Sequence, residues 1–501
     1  MRPPPENPWW RDAVVYQVYP RSFQDSDGDG EGDLAGIRRR LEHIAALGAD
    51  ALWLSPVYPS PMADGGYDVA GYTAIDPRFG TLADFDELLA AAHDRGLRLL
   101  MDVVPCHTSI EHPWFVEHPE RYVWSDRDGP QNNWRASFGG PAWSPDPHGR
   151  GWYLHSFYPE QPDLDWRRED VRAGVASALR FWRARGVDGF RLDAIDRLLK
   201  DPELRDDPPA SAPPLLPEHG EAGDLEHRHS RNAPGIEDAL AVLRDGAGED
   251  ALLVGEVYLP SAQLAPYLGQ IDVAFAFELL HARWDAGALR AAIEGALAAG
   301  GAGGRIAWVL SNHDFPRLPD RVGAGNTRAA ALLALTLPGA VFVYQGDEIG
   351  MADGPGREPP DDRAGRDRHR HPMRWDDDAP QGGFTDGEPW LPAIAVQGGA
   401  VAAQALEADS VLALYRDLIA TRRTLGDGLR FLEDTDEGVL AYRRGSRHVV
   451  ALNTADGPRA APAAGAIVRA THSGRLPAGA PAPTTLQPGE GFLARAEKCD
   501  S

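Results

Sequence analysis

Cysteine and lysine are almost missing from this chain of 501 residues, which holds two of each. The cysteines are Cys106, at the end of an expected strand, and Cys499, at the C-terminal tip. So placed, they argue against a disulfide framework and fit a reducing compartment. The lysines are Lys200 and Lys498, so arginine carries nearly all the positive charge. That reads as a compositional bias rather than as mechanism. Long apolar runs are missing too. No stretch of about 18 apolar residues occurs, and no membrane span is expected. The opening stretch, Met1 to Trp10, is rich in proline and aromatics and lacks the apolar segment of a secretory signal. A cytoplasmic protein, monomeric or weakly homo-oligomeric, is the expectation. Positive charge is in deficit, with a formal net charge of -25. Binding a nucleic-acid backbone needs basic patches, so nucleic acid is an unsuitable partner and a neutral small molecule a suitable one.

What is there is an alternation. Val14 to Pro20 reads as a strand, Asp33 to Leu47 as a helix with Leu34, Ile37, Leu41, Ile44 and Leu47 at helical spacing, and Ala51 to Pro56 as a second strand. A helix over Asp84 to Arg95 and a strand over Arg98 to Pro105 follow. Residues 106–166, rich in Trp, Pro, Gly, Asn and His, break the rhythm and read as an inserted domain after the third strand. The rhythm resumes with a helix from Val171 to Arg185 and a strand from Gly189 to Ala194. A second excursion, Asp201 to Asn232, is Pro-rich and then charged. Helices over Ile236 to Leu243 and Leu289 to Ala298 separate strands near Ala251, Asp272, Arg305 and Ala340. Eight strands alternating with helices imply an α/β fold, a (β/α)8 TIM barrel. The barrel is assigned residues 1–105 and 167–424, with Val411 to Arg423 as its closing helix. Short β-like pieces between Gly/Pro clusters give residues 425–501 a small C-terminal β domain.

The turn after the first strand carries acidic residues at alternate positions with glycines between them. Carboxylates of Asp25, Asp27, Asp29 and Asp33, with the carbonyl of Glu31, form the opening half of a cation-binding loop. No bidentate Glu closes it, so Ca2+ and Mg2+ both stand. No organic cofactor is expected.

Barrel enzymes place their chemistry at the C-terminal ends of the strands. Strand three supplies Asp102 and His107, strand four Arg191 and Asp193, strand five Glu256, and strand seven His313 and Asp314. Residues two apart in a strand share a face, so Arg191 and Asp193 lie together, and the guanidinium favours an ionised Asp193. A charged and a protonated carboxyl facing each other suit glycoside hydrolysis: one attacks the anomeric carbon, the other protonates the departing oxygen. A barrel metallohydrolase is the rival, because His and Asp also bind zinc. Against it, no His-x-His follows the first strand.

These residues carry a resemblance. Asp102-Val103-Val104-Pro105-Cys106-His107, Gly189-Phe190-Arg191-Leu192-Asp193, Gly255-Glu256-Val257 and Ser311-Asn312-His313-Asp314 resemble the four signature regions of the α-amylase family (glycoside hydrolase family 13). Gln161 to Trp166 is similar to the fifth motif of its oligo-1,6-glucosidase and α-glucosidase branch, with Asp165 where Asn is usual. The acidic loop is similar to that branch's cation loop, and Gly365 to Trp375 to its loop after strand eight. The resemblance implies Asp193 as nucleophile, Glu256 as acid/base and Asp314 as transition-state stabiliser. It implies that His107, Arg191 and His313 bind the glucosyl unit. Asp64 and Tyr67 would close its non-reducing end with Arg366, making the enzyme exo-acting, and Phe138 and Phe157 would be aromatic walls.

Two residues depart from the pattern. Cys106 stands where the family usually has an Asn that helps hold a structural calcium. Ala194 follows the nucleophile where the branch has Val, associated with α-1,6 linkages, or Thr, associated with α-1,4; alanine leaves more room. The implied activity is retaining hydrolysis of terminal α-linked glucose from short oligosaccharides or α-glucosides. The alternative is an α-transglucosylase or sucrose/trehalose-type isomerase. A non-catalytic relative, such as a transporter's ectodomain subunit, is disfavoured, because no spanning segment is expected and all three catalytic positions are filled.

Overall fold

A computed structural model of the protein describes residues 8–217, 223–300, 304–357 and 361–496. Lys498 and Cys499 lie outside them. The barrel strands are β1 Val14–Val18, β2 Ala51–Leu54, β3 Arg98–Val103, β4 Gly189–Leu192, β5 Leu252–Gly255, β6 Val273–Phe275, β7 Ile306–Val309 and β8 Ala340–Tyr344. Each pairs in parallel with the next, and β8 pairs back onto β1 with Val341 beside Val14. The eight close into the barrel that the alternation implies, and closure leaves no sheet edge exposed.

The pleat sorts the side chains into two cores. Val15, Trp53, Leu100, Val254, Phe275, Val309 and Phe342 point inward and fill the barrel. Their strand neighbours Tyr16, Leu52, Met101, Leu253 and Trp308 point outward into a larger cluster with the helices. Gly189 is glycine because β4 is squeezed: a Cβ there would meet the Leu252 carbonyl oxygen at 2.4 Å. The first helix, Leu34–Leu47, starts where the Asp33 carboxylate accepts the Gly36 N–H and stops at Gly48 in the left-handed region. Leu82–Asp94 opens on a reciprocal cap between Thr81 and Asp84.

The strands are shorter than the apolar runs suggest. β4 ends at Leu192 rather than Ala194, and β2 at Leu54 rather than Pro56. The residues beyond turn over the barrel rim. The longest helix to go unread, Thr327–Thr336, is buried at every residue but Arg328. It is wedged between the barrel and the C-terminal sheet, where Thr336 Oγ1 and Tyr442 Oη are 2.6 Å apart. A helix covered on nearly every side shows no polar stripe to betray its period.

The inserted segment after β3 carries a hairpin, Trp143–Pro145 with Trp152–Leu154, around Trp134 and Trp143. The excursion after β4 leans on it. Trp134 Nε1–H donates to the Arg205 carbonyl at 2.8 Å, and Asn133 bonds both Asp206 and Asp207. The C-terminal region folds as a five-stranded antiparallel sheet with its own apolar cluster.

Candidate active site

The inward face of each strand changes character at the rim. Two residues on from Val15 stands Gln17; from Leu100, Asp102; from Gly189, Arg191 and then Asp193; from Val254, Glu256. Period two puts each polar residue directly above an apolar one, and register sets Asp102 beside Arg191. Arg191, 1% exposed, is the centre of the layer. Its Nη1 donates to Asp102 Oδ1 at 2.9 Å and to Asp193 Oδ1 at 2.5 Å, and its Nη2 lies 2.6 Å from Glu256 Oε2. Asp102 is held from behind by Tyr67 Oη at 2.9 Å and Trp53 Nε1 at 3.1 Å.

One guanidinium faces three buried carboxyls, so full ionisation would leave the cluster strongly negative. Burial pushes Asp193 up to about 7 against the pull of Arg191, with the Asp102 charge adding to the rise. Burial drives Glu256 well above its usual range; Arg191 opposes this, and the charges of Asp193 and Asp314 reinforce it. The two carboxyls hydrogen-bond to each other. Glu256 therefore keeps the proton and Asp193 gives it up first, the division of labour an acid and a nucleophile need. Arg191 alone does not settle the charge of Asp193, as the sequence suggested, because it is shared among three acids. The Ala194 N–H donates to Glu256 Oε2 at 3.2 Å, and that alanine sits at φ +43°, which resists β-branched side chains.

The cavity above is lined by Asp64, Tyr67, His107, Phe138, Phe157, Asp193, Glu256, Asp314 and Arg366. Arg191 and His313 stand behind that wall. At the closed end Arg366 bonds Asp64, both oxygens of Asp362 and, at 2.9 Å, Asp314 Oδ1. Gln161 Nε2 reaches Asp64 Oδ2 at 2.8 Å and His107 Nε2 at 2.9 Å. Phe138 and Phe157 are half-buried rather than core; Arg366 lies over the first ring and Arg197 over the second. His313 is sandwiched between Tyr67, parallel at 5.2 Å, and Tyr19. Burial takes His107 down to about 4 and His313 to about 3, so both rings are neutral in the working range. Gln17 Nε2, 2.8 Å from His313 Nδ1, is a partner the motifs do not include. Tyr258, Phe315, Asp196 and Arg197 also line the cavity and were not foreseen.

Among the described residues, two groups could hold a cation. Carboxylates of Asp25, Asp27 and Asp29 lie within 4.8 Å of one another. Asp29 is raised by burial and by the charges of Asp27, Asp25 and Glu31, a concentration of negative charge that suits a hard cation. Asp33 is drawn off as the helix cap, also accepting from Ser26 N–H at 2.7 Å. The Glu31 side chain turns to Arg21 and Arg78. The second group is Cys106, His107 and Asp163. There a lysine supplies the positive charge: Lys200 Nζ is 2.6 Å from Asp163 Oδ2 and 3.9 Å from Cys106 Sγ. Burial pulls its ammonium down, but the Asp163 charge outweighs that and keeps it protonated. The signal was in the composition: a lysine kept inside a chain otherwise written in arginine.

A family model described as the alpha amylase catalytic domain matches residues 17–428. The chain belongs to the alpha-amylase family. It is 40% identical over 471 residues to a probable alpha-glucosidase of Rhizobium meliloti, covering 84% of this chain and 83% of the relative. An alpha-glucosyl transfer enzyme of known structure shares 36% identity at a TM-score of 0.90, covering 98% of this chain and all of that one. A variant of the trehalulose synthase MutB, solved with its substrate sucrose, shares 31% identity at a TM-score of 0.86 with the same coverage. Members of this family that hydrolyse, transfer and isomerise thus share the present scaffold, and the chain is an alpha-amylase-family enzyme acting on α-glucosides.

Proposed function

We propose that the protein is a retaining, exo-acting α-glucosidase that removes terminal non-reducing α-linked glucose from short oligosaccharides or α-glucosides. The observation that carries this reading is the carboxyl pair. Asp193 and Glu256 touch on one guanidinium. That puts them on the short side of the about 5–5.5 Å of a retaining pair and far from the about 6.5–9.5 Å an inverting enzyme needs for its water. Asp193 attacks C1 while Glu256 gives its proton to the departing oxygen, forming a glucosyl ester. Water then attacks C1, Glu256 takes its proton, and the ester electrons return to Asp193. The ion pair of Asp64 and Arg366 in the cavity wall supports cleavage from the chain end.

Transfer of the glucosyl group to another alcohol, or isomerisation of sucrose or trehalose, uses the same ester. The small side chain of Ala194 on the cavity wall favours keeping that second reading. Early products from maltose, isomaltose, kojibiose, nigerose and sucrose, followed separately by proton NMR, decide between them. α-Glucose appearing first supports retaining hydrolysis; β-glucose first refutes it; new glucosides ahead of glucose establish transfer. For the Asp25, Asp27 and Asp29 trio we propose a structural Ca2+ or Mg2+. Chelation is expected to lower Tm by about 2–4 °C, with recovery on adding either ion.

A further inference from the structure

Gln17 stands on the inward face of β1, two residues beyond Val15 and 1% exposed. No catalytic motif contains it, yet its Nε2 lies 2.8 Å from His313 Nδ1. The plane of the His313 ring is set by other groups. Tyr67 and Tyr19 stack on it, and Trp53 meets it edge to face with centroids 6.1 Å apart. Arg370 Nε–H donates to the His313 carbonyl at 2.9 Å and so holds the backbone. What Gln17 can decide is where the ring carries its proton.

Two observations place that proton on Nε2. The amide nitrogen of Gln17 only donates, so Nδ1 must accept. Nε2 is buried, has no aligned hydrogen bond among the described residues, and is 3.1 Å from Asp314 Oδ2. A lone pair on Nε2 would be repelled by that carboxylate. A neutral imidazole has one donor and one acceptor, and the two contacts demand the same tautomer. A second proton, on Nδ1, would make an imidazolium and cancel the charge of Asp314. The donor of Gln17 occupies the place where that proton would sit. Burial and the charges of Arg370, Arg191 and Arg366 oppose it as well, and the Asp314 charge favours it. Asp314 lines the catalytic cavity, and its Oδ1 accepts from Arg366 at 2.9 Å and from Arg370 at 3.3 Å.

We propose that Gln17 is a positioning residue: it holds His313 as a neutral Nε2–H donor, which steers the Asp314 carboxylate without taking away its negative charge. The inference rests on the double-displacement reading, in which positive charge develops at C1 as the departing oxygen leaves. A carboxylate fixed in the cavity wall stabilises that charge only while it stays anionic.

The test reads the ring proton by NMR in protein carrying 15N-labelled histidine, with the His313 signals assigned by their loss in His313→Asn. In the native protein Nε2 is expected to be protonated and Nδ1 bare. Gln17→Glu keeps the shape but turns the donor into an acceptor. Its Nδ1 is expected to become protonated, and kcat to fall about a hundredfold with KM changed less than about twofold. Gln17→Met keeps the volume and removes the donor without adding charge, so it serves where Gln17→Glu does not fold. Its kcat is expected to fall about tenfold with little change in Tm. A proton on Nδ1 in the native protein, a bare Nδ1 in Gln17→Glu, or native kcat in Gln17→Met overturns the proposal. The spectra need no turnover. If the native protein cleaves no α-glucoside, the glucosidase reading fails, and the place of the ring proton still decides whether Gln17 holds the tautomer.

Discussion

At the closed end of the catalytic cavity Asp64, Arg366, Asp362, Gln161 and His107 are tied to one another by hydrogen bonds. At the open end Tyr258, Leu259 and Pro260 face Leu215 and Leu216, and the charged side chains of Glu226 and Arg228 are open to solvent. The first arrangement fixes directions and recognises hydroxyls one by one. The second mixes aliphatic side chains with polar groups that solvent reaches, so its directions are less fixed. On the proposed function, the closed end determines which sugar is cut and the open end which alcohol receives it. Hydrogen-bonding sites discriminate far more sharply than apolar ones, so the two ends are expected to differ in how they fail.

The sharpest break is at the reacting carboxylate. Asp193→Asn removes the nucleophile and is expected to cut kcat on the order of 10^4-fold with little change in Tm. Substantial remaining activity would move the nucleophile elsewhere. Next is Arg366→Met, which strips Asp64 and Asp362 of their cation. Leaving buried carboxyls unpaired costs about 3–5 kcal/mol. Urea unfolding should read that loss, and KM for every glucoside should rise. A variant as stable as the native protein would show that the closed end is not held by charge.

The reacting layer was legible in the sequence and the open end was not, for a physical reason. Asp102, Arg191 and Glu256 sit two residues beyond Leu100, Gly189 and Val254, and Asp193 two beyond Arg191, so the pleat announces where they point, whereas Asp64 and Arg366 at the closed end came only through the family resemblance. Leu215, Leu216 and Pro260 lie in irregular backbone, where an apolar residue has no period to reveal its partner. The barrel was readable from alternation, but the helix Thr327–Thr336 was not, because only Arg328 of its ten residues reaches solvent. Lys200 was set aside with the composition. It sits 3% exposed, pressed against Asp163 and Cys106. Its compact ammonium fits where the planar fork of an arginine would not. Lys200→Arg keeps the charge yet is expected to cost about 1–3 kcal/mol through overpacking. Equal stability of the two proteins in chemical denaturation would return the lysine to compositional bias.

The smallest effect tests how charge is shared behind the reacting pair. Asp102 lies 2.9 Å from Arg191, and its charge helps hold Asp193 up at about 7. Asp102→Asn removes that charge and releases more of the guanidinium to Asp193. Both changes favour the ionised form, so Asp193 loses its proton at lower pH. Turnover needs Asp193 charged and Glu256 protonated, which gives a bell-shaped profile. The acidic limb of kcat/KM is therefore expected to move down by about one pH unit. The basic limb, governed by Glu256, should fall too: Asp193 is already charged in that range, and losing Asp102 leaves more of the Arg191 guanidinium to lower Glu256. An acidic limb that stays in place would mean that Arg191 already screens Asp102 from the nucleophile.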